Sequence, residues 1–237
     1  MNIWKPCRNF DIKQAMRLRI IFSKSGALRY TGHLDLQTTW ARTVRRAGLP
    51  LAYTQGFHPG PRIQIASALP LGFIGRAEIV DIWLQDVGAE LRVGRGNDFV
   101  EVLQPAAPPG LTILSVKQVD EAGPALQTQV ASAEYEVTLL DPVDAKELTL
   151  RVAETLRVEV LMRQRRGKDY NLRLLIEELS LTPSPSPCGV GVGVRVFMRL
   201  AARDGATARP EEVLAVLGIP FETTRIERTR LILTTTA

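Results

Sequence analysis

The chain has 237 residues, 45% of them hydrophobic, which allows one large domain or two domains of about 100–120 residues each. No run approaches the ~20 apolar residues of a membrane helix and residues 1–16 lack a signal-peptide core, so we expect a cytoplasmic protein without membrane association. The few cysteines and histidines argue against a disulfide scaffold, an iron–sulfur cluster and a zinc site, and we predict no metal and no cofactor. They are Cys7, Cys188, His33 and His58.

The positive charge is carried mainly by arginine, since 24 of the 30 basic residues are Arg. Arginine presents a planar, permanently charged donor fork that suits phosphate, although a GC-rich genome also raises arginine content. The placement is more informative: residues 17–62 hold eight cations and one acid, Asp35, and a second group lies at residues 163–168. Cations gathered in two places predict an anion-binding surface.

The first half of the chain alternates strand and helix patterns. Residues 17–23 place Leu18, Ile20 and Phe22 on one face, which is the period of a strand, and residues 34–47 carry apolar side chains at helical spacing. The segments that follow are, in order, extended 51–54 and 62–68, strand 77–84, helix 98–103 and strand 112–119.

The second half repeats this order. Its predicted elements are strand 134–140, helix 145–156, a strand pair 157–164 and 171–181 around the second basic group, strand 190–200, helix 210–217 and strand 224–234. Each half therefore follows the order βαββαβ, which predicts an α+β fold of two tandem ferredoxin-like domains with antiparallel sheets. We expect domains at 17–120 and 134–237, a linker at 121–133 and an N-terminal extension at 1–16. The helix-free face of such sheets commonly binds single-stranded RNA.

The connection from the first strand to the first helix is the first candidate site. It brings Lys24, Arg29, Tyr30 and His33 next to a helix start, where free N–H groups and the helix dipole favour phosphate. The structural alternative is that Asp35 complements the dipole and that His33 is a half-buried structural histidine.

The loop after the first helix is the second candidate site. Glycines and prolines give it a fixed shape, and aromatic side chains beside arginine can stack on bases. The structural alternative is a rigid turn with Phe57 packed into the core. The candidate nucleic-acid-binding residues here are Tyr53, Gln55, Phe57, His58 and Arg62 on the loop, with Arg42, Arg45 and Arg46 on one face of the helix.

The third candidate site is a basic turn in the second half. Its four cations are Arg163, Arg165, Arg166 and Lys168, around Gly167. Each phosphate that such a tip neutralises steepens the salt dependence of RNA binding. The alternative is a solvated hairpin end.

Several stretches resemble a known family. FSKSGALRY at 22–30 with HLDL at 33–36, RRAGLPLAYTQGFHPGPRI at 45–63, ALPLG at 68–72 and AEIVD at 77–81 are similar to the radical-SAM-linked family of uncharacterised bacterial proteins. In that family the domain is encoded beside, or fused to, a cobalamin-binding radical-SAM enzyme, often near genes for a ribonuclease and ribosomal proteins. The resemblance therefore implies a radical-SAM partner and an RNA context. Gly60 stands where the family usually has a second histidine.

Three functional hypotheses follow. The leading one is a non-catalytic RNA-binding or substrate-presenting partner of a radical-SAM enzyme, which binds tRNA or rRNA in RNA modification or ribosome-related processing. The second is a metal-independent endoribonuclease similar to CRISPR repeat-processing enzymes, with His33 as base and Lys24, Arg29 or Tyr30 assisting at the phosphate. The third is a protein–protein adaptor whose basic face docks an acidic partner. The first hypothesis depends on distant cations converging into one continuous positive surface.

Overall fold

The structure is a computed structural model that describes residues 15–85, 96–185 and 192–234. Cys7, Cys188 and nearly all of the expected N-terminal extension lie outside these residues. The predicted division of the chain at residues 121–133 stays a prediction.

The elements of the first half begin and end within a few residues of the predicted segments. They are β1 (Met16–Lys24), α1 (His33–Arg46), β2 (Ile63–Ile65), β3 (Ile74–Leu84), α2 (Gly96–Leu103) and β4 (Leu111–Val119). Strand β2 is much shorter than the extended segment predicted at 62–68. A short 3-10 helix, Gly26–Tyr30, joins β1 to α1.

The second half contains the elements expected there and two extra short strands, at 168–171 and 206–207. Its elements are β5 (Val130–Leu139), α3 (Ala145–Arg157), β6 (Met162–Arg165), β7 (Lys168–Asn171), β8 (Ile176–Pro185), β9 (Val192–Arg203), β10 (Ala206–Thr207), α4 (Pro210–Val216) and β11 (Thr224–Leu233). Strands β6 and β7 pair with each other as a separate two-stranded hairpin.

The other nine strands form one sheet. Its main path is β10-β9-β5-β11-β3-β1-β4, while β2 pairs with β3 and β8 pairs with β9. Every pair is antiparallel except β11 with β3, where Glu227 lies opposite Ile74 and Arg228 opposite Gly75. The α+β class and the mostly antiparallel pairing are thus confirmed, but the strands of the two halves join in one continuous sheet.

Two apolar clusters hold the sheet to its helices. In the first half, alternate residues of β1 pack against α1, and the rings of Phe22 and Trp40 meet edge to face with centroids 5.0 Å apart. In the second half, Val137 of β5 and Val213 and Leu214 of α4 are fully buried in the other cluster. The second cluster also contains Ala66, Leu69, Phe73 and Ile79 of the first half, so the apolar core is continuous across the junction of the two halves.

The other face of β1 is polar and also buried. Arg17 and Arg19 alternate with the helix-facing residues, and both bind the carboxylate of Asp81 on β3, Arg17 through its Nε at 2.9 Å. Arg17 also donates to the carbonyl oxygens of Gly123 and Pro124 at 2.8 and 2.9 Å. Residues of the expected linker therefore cover this part of the helix-free face, so it is not an open surface for RNA.

Candidate nucleic-acid interface

Helix α1 separates the first two candidate sites. It starts at His33, beside the end of β1, and it finishes before Leu51, which bridges Leu84 at the other end of the sheet. Strand register confirms the direction, because Leu84 lies opposite Met16, the first residue of β1. Fourteen helical residues span about 20 Å. The first site and the loop at 53–62 thus lie at opposite ends of the helix.

Lys24 lies in the interior. Its side chain is 1% exposed, and its Nζ donates to the carbonyl oxygen of Thr31 at 2.7 Å. Burial lowers the pKa of Lys24, against the opposing effect of the Glu78 carboxylate. Lys24 is therefore not available to a phosphate at the surface. Strand periodicity could have indicated this, since Lys24 lies two residues after the buried Phe22.

Arg29, Tyr30 and His33 form a small group at the start of α1. The guanidinium of Arg29 donates to the Tyr30 hydroxyl at 2.6 Å and lies 4.7 Å from the centroid of that ring. Tyr30 is 62% exposed, and the buried Nδ1 of His33 meets no hydrogen-bond partner among the described residues. With Lys24 turned inward, any cleavage chemistry here depends on these three side chains.

The loop at 53–62 is closed by its own backbone. The backbone N–H of Thr54 donates to the carbonyl oxygen of Gly60 at 2.8 Å, and the backbone N–H of Gly60 donates to the Thr54 hydroxyl oxygen at 3.0 Å. Below this turn, Tyr53 bridges Pro61. Phe57 at the tip has a relative exposure of 103%, and its neighbours Gln55 and His58 are exposed as well. The loop therefore presents an aromatic ring to solvent on a turn held by hydrogen bonds.

Arg62 is held in place at the base of this loop. Its guanidinium lies 4.7 Å from the ring centroid of the buried Trp83, and Arg17 lies 4.8 Å from the same ring. Stacking of this kind stabilises a cation and restricts its rotamers. Glu121 is 3.7 Å from Arg62 in a partly exposed position, where an ion pair contributes little. Arg62 is thus a pre-positioned, half-exposed cation.

The last two turns of α1 add three arginines to this end of the sheet. Arg42, Arg45 and Arg46 are exposed and lie on one face, three and four residues apart. Arg45 donates from Nε to the carbonyl oxygen of Ala41 at 3.2 Å, and none of the three joins an ion pair within the described ranges. The negative end of the helix dipole stabilises cations here.

The β6–β7 hairpin carries the third candidate site on a tight turn. Arg166 has φ 51° and Gly167 has φ 76°, the positive values that a two-residue hairpin turn requires. Arg166 and Lys168 are exposed, and Arg163 is half-buried with its Nη1 donating to the Met162 carbonyl oxygen. None of these three cations forms an ion pair with a carboxylate that the structure describes.

Arg165 differs from the other cations of the hairpin, because it anchors the hairpin to α4. It binds both carboxylate oxygens of Glu212, donates to the Thr207 carbonyl oxygen at 2.8 Å and stacks on Tyr170. Burial is the largest single effect on Glu212 and raises its pKa, but the hydrogen bonds from Arg165 and Tyr170, the charge of Arg165 and the backbone N–H of Arg209 together outweigh it, so the pKa of Glu212 lies below its usual value. Arg165 is a structural residue and not a free anion-binding group.

Strand directions place this hairpin and the 53–62 loop at the same end of the sheet. β11 runs parallel to β3 and finishes at Leu233, opposite Val130, where β5 begins. The hairpin leads into Ile176, which pairs with Leu200 near that same end. We call this the basic end. Its cations come from both halves: Arg42, Arg45, Arg46 and Arg62 from the first, and Arg163, Arg166 and Lys168 from the second.

The structure thus places some of the predicted nucleic-acid-binding residues together and the others elsewhere in the fold. The loop, the end of α1 and the hairpin share the basic end, whereas Arg29, Tyr30 and His33 lie at the opposite end and Lys24 lies inside. Much of the remaining arginine is structural, as in the pairs of Arg199 and Arg230 with Glu134. Sequence reasoning did not find these pairs, because each joins strands that are distant in the chain.

Comparison with known proteins gives a family. Residues 17–210 match DUF2344, which is described as an uncharacterized protein conserved in bacteria. The chain belongs to this family. The match covers most of both halves, including the 53–62 loop and the hairpin, but it assigns no activity to DUF2344 and carries no radical-SAM link. That link, which the resemblance implies, stays a prediction.

Other comparisons add little to the family. No curated protein matches this DUF2344 chain. A crystal structure of an unknown protein from Galdieria sulphuraria is 12% identical, with 94% of this chain and 100% of that chain covered and a TM-score of 0.26. Similarity at this level supports no argument about fold or function.

Two kinds of feature are absent from the described residues. No helix among them is both long and apolar enough to span a membrane. No group of three or more His, Cys, Asp or Glu side chains in the described part of the chain is arranged to hold a metal ion.

Proposed function

We propose that this DUF2344 protein is a non-catalytic RNA-binding protein that grips single-stranded RNA at the basic end. The observation that carries the proposal is the shared position of exposed and half-exposed cations from both halves with an exposed aromatic loop. Phosphates supply most of the affinity of a protein for a nucleic acid, and arginine binds them through a planar fork. The first candidate site, at the start of α1, lies about one helix length away and is not needed for this grip.

The 53–62 loop adds a second kind of contact. Base stacking on an exposed aromatic ring contributes ~1–3 kcal/mol per base and tolerates any sequence. Phe57 is fully exposed on a loop that its own hydrogen bonds hold in shape, so little conformational entropy is lost when a base stacks on it. Arg62, stacked on Trp83 at the base of the loop, is placed for the neighbouring phosphate.

We also infer that each half is a ferredoxin-like unit. The strand order is β4-β1-β3-β2 in the first half and β11-β5-β9-β8 in the second, so corresponding strands occupy corresponding places. The 53–62 loop and the β6–β7 hairpin then occupy equivalent connections, each between the first helix and the second sheet strand of its half. This equivalence supports one RNA-binding surface to which each half contributes the same connection of its fold.

The test is fluorescence anisotropy with a labelled single-stranded RNA at several salt concentrations. The variants are Arg45→Gln/Arg46→Gln and Arg166→Gln/Lys168→Gln, one pair from each half. Each pair removes two cations, so the slope of log affinity against log salt falls by about 1.4 for each pair if both cations contact phosphate. The effects of the two pairs add if they contact one strand.

A matched control removes the same charge at the opposite end of the sheet. Lys146 begins α3 and Arg225 lies near the start of β11, and both are exposed. Lys146→Gln/Arg225→Gln leaves the slope unchanged if the basic end is the contact surface. An equal loss in the control, or a wild-type dissociation constant weaker than about 0.1 mM at physiological salt, contradicts the proposal.

The radical-SAM partner rests on the family resemblance described above and is part of the proposal. Pull-down of a radical-SAM enzyme encoded beside the protein, with and without nuclease treatment, tests it. Recovery that survives nuclease indicates direct protein contact, and recovery lost on treatment indicates an RNA bridge. Recovery with nuclease but no RNA binding favours the protein–protein adaptor.

A further inference from the structure

A cavity of about 420 Å³ lies where the two halves meet. The first half contributes the loop after β2, with Leu69 and Pro70, and the second half contributes side chains of β5, β9 and the start of α4. This volume is in the range of small-molecule sites, which are mostly apolar with a few placed polar groups. We call it the junction cavity. Its lining contains both apolar and polar side chains.

The apolar part of the lining suits a flat ring. Leu69 and Pro70 come from the first half, while Ala202 of β9 and Pro210 of α4 come from the second. None of these side chains offers a hydrogen bond. Any specificity therefore comes from the few polar groups that line the same cavity.

One polar group of the lining lacks a hydrogen-bond donor. Glu211 has a buried Oε2 that receives no hydrogen bond from any described residue. A buried carboxylate oxygen without a donor is costly, and a ligand N–H removes that cost. Tyr135 also lines the cavity, and burial raises the pKa of its hydroxyl, so the hydroxyl stays neutral next to the guanidinium of Arg228.

Arg228 also lines the cavity, but its donors are occupied. Its Nε and Nη2 bind Glu78, and its remaining N–H groups reach the Ser67 hydroxyl and the carbonyl oxygens of Ser67 and Ala68. Arg228 therefore holds Ser67 and Ala68 in place in the cavity wall and does not bind a ligand. Arg209, by contrast, is exposed at the cavity and free to meet a phosphate.

We propose that the junction cavity binds one nucleobase, with the Glu211 carboxylate accepting from its ring and amino N–H groups. A neutral planar ring with N–H donors satisfies Glu211 and fits between the apolar walls, and its phosphate lies towards Arg209. Reading a single base through its Watson–Crick edge in a pocket is a known mode of recognition. Guanine fits best, because its N1–H and amino group are neighbouring donors.

The cavity lies next to the proposed RNA grip. Thr207, which lines it, accepts from Arg165 of the hairpin, and Glu212, the neighbour of Glu211, holds the same arginine. RNA on the hairpin cations therefore has a base within reach of the cavity. The link to RNA rests on the proposed function, whereas the binding of a free nucleotide does not.

The test uses guanosine 5′-monophosphate and, as a base-free probe, ribose 5-phosphate, with binding measured by isothermal titration or ligand-observed NMR. We expect the nucleotide to bind and ribose 5-phosphate to bind at least tenfold more weakly. Glu211→Gln weakens nucleotide binding by about tenfold or more, because it removes a charged acceptor. The matched control Glu222→Gln, an exposed acid outside the cavity, leaves binding unchanged.

A second variant, Ala202→Leu, fills the cavity from β9 and abolishes binding whether or not Glu211→Gln folds. Equal binding of the two probes, or binding unaffected by both cavity variants, overturns the inference. RNA affinity that depends on Arg45 and Arg46, without Glu211-dependent binding of the free nucleotide, supports the proposed function and overturns this site. Glu211-dependent binding of the free nucleotide without RNA binding supports the site and contradicts the proposed function.

Discussion

The guanidinium of Arg228 on β11 binds both carboxylate oxygens of Glu78 on β3, with Nε to Oε1 at 2.8 Å. Both side chains are 2% exposed, and 150 residues of chain separate them. The pair lies where the last strand of the second half joins the first half, beside Lys24. Opposite charges there compensate each other in a place where neither can reach water.

Breaking this pair is expected to destabilise the protein strongly. Glu78→Gln leaves Arg228 charged and buried, which costs about 3–5 kcal/mol of unfolding free energy in urea denaturation. The double variant Glu78→Met/Arg228→Met is expected to lose much less, because no unpaired charge remains. The control Glu227→Gln removes the partly exposed partner of Arg76 and costs less than about 1 kcal/mol. A double variant as unstable as Glu78→Gln argues against charge compensation.

Phe57 is expected to matter for binding and not for stability. Phe57→Ala changes the unfolding free energy by less than about 0.5 kcal/mol, since the ring is fully exposed. It lowers single-stranded RNA affinity by ~1–3 kcal/mol, and Phe57→Trp retains the affinity. Leu71→Ala, at another exposed apolar position, is the control and leaves affinity unchanged. A loss of stability with no loss of affinity would show that the ring has a packing role.

Glu134 is expected to give a measurable acid dependence. The hydrogen bond from Arg230 holds the pKa of this carboxyl below its ordinary value, and Arg199 adds a second donor at 2.8 Å. Since the folded value lies below the unfolded value of about 4.3, the folded state binds the proton less tightly. Its contribution, on the order of 1 kcal/mol, is complete above that pH and is lost as the pH falls through the folded value.

Urea unfolding of wild type and Glu134→Gln at pH 7 and pH 3 measures this dependence. The difference in unfolding free energy between the two proteins is expected to be larger at pH 7 and to shrink at pH 3. Glu222→Gln, an exposed acid, shows little difference at either pH. If the difference in unfolding free energy between wild type and Glu134→Gln stays constant with pH, the carboxylate charge does not stabilise the fold.

Substitutions at the two residues of the β6–β7 turn distinguish the effect of backbone geometry from the effect of charge. Arg166 has φ 51°, which asparagine adopts more readily than arginine, so Arg166→Asn preserves or raises hydrogen-exchange protection of β6 and β7. The same change removes one cation and lowers the RNA salt slope by about 0.7. Gly167→Ala, at φ 76°, does the reverse and destabilises the hairpin by about 1 kcal/mol without changing charge. Unchanged salt dependence in Arg166→Asn would exclude a phosphate contact at this position.

The strands and helices follow from local patterns, so the sequence predicts most of them. Alternation in β1 and helical spacing in α1 place Phe22 and Trp40 in one core, and both are buried there. The cations of β1 were harder to interpret. Arg17 and Arg19 lie in a basic segment and looked available, but their partner Asp81 becomes a neighbour only through the β1–β3 pairing.

The separate segments of the candidate site can be predicted from the sequence, but their common position in the fold cannot. The 53–62 loop is stiff and exposed because glycine, proline and local hydrogen bonds define it, and those are visible in the sequence. That this loop and the hairpin share one end of the sheet depends on the parallel pairing of Glu227 and Arg228 with Ile74 and Gly75. A pairing of two residues between strands about 150 positions apart leaves no periodic signal.

The position of β11 has a consequence for biosynthesis. Of the described strands it leaves the ribosome last, yet it lies in the middle of the sheet between β5 and β3. Until it emerges, the nascent chain carries two unpaired strand edges and an uncompensated Glu78 in a site meant for burial. We therefore expect the earlier segments to depend on chaperones while they are being translated, and we expect the sheet to close only after β11 has left the ribosome.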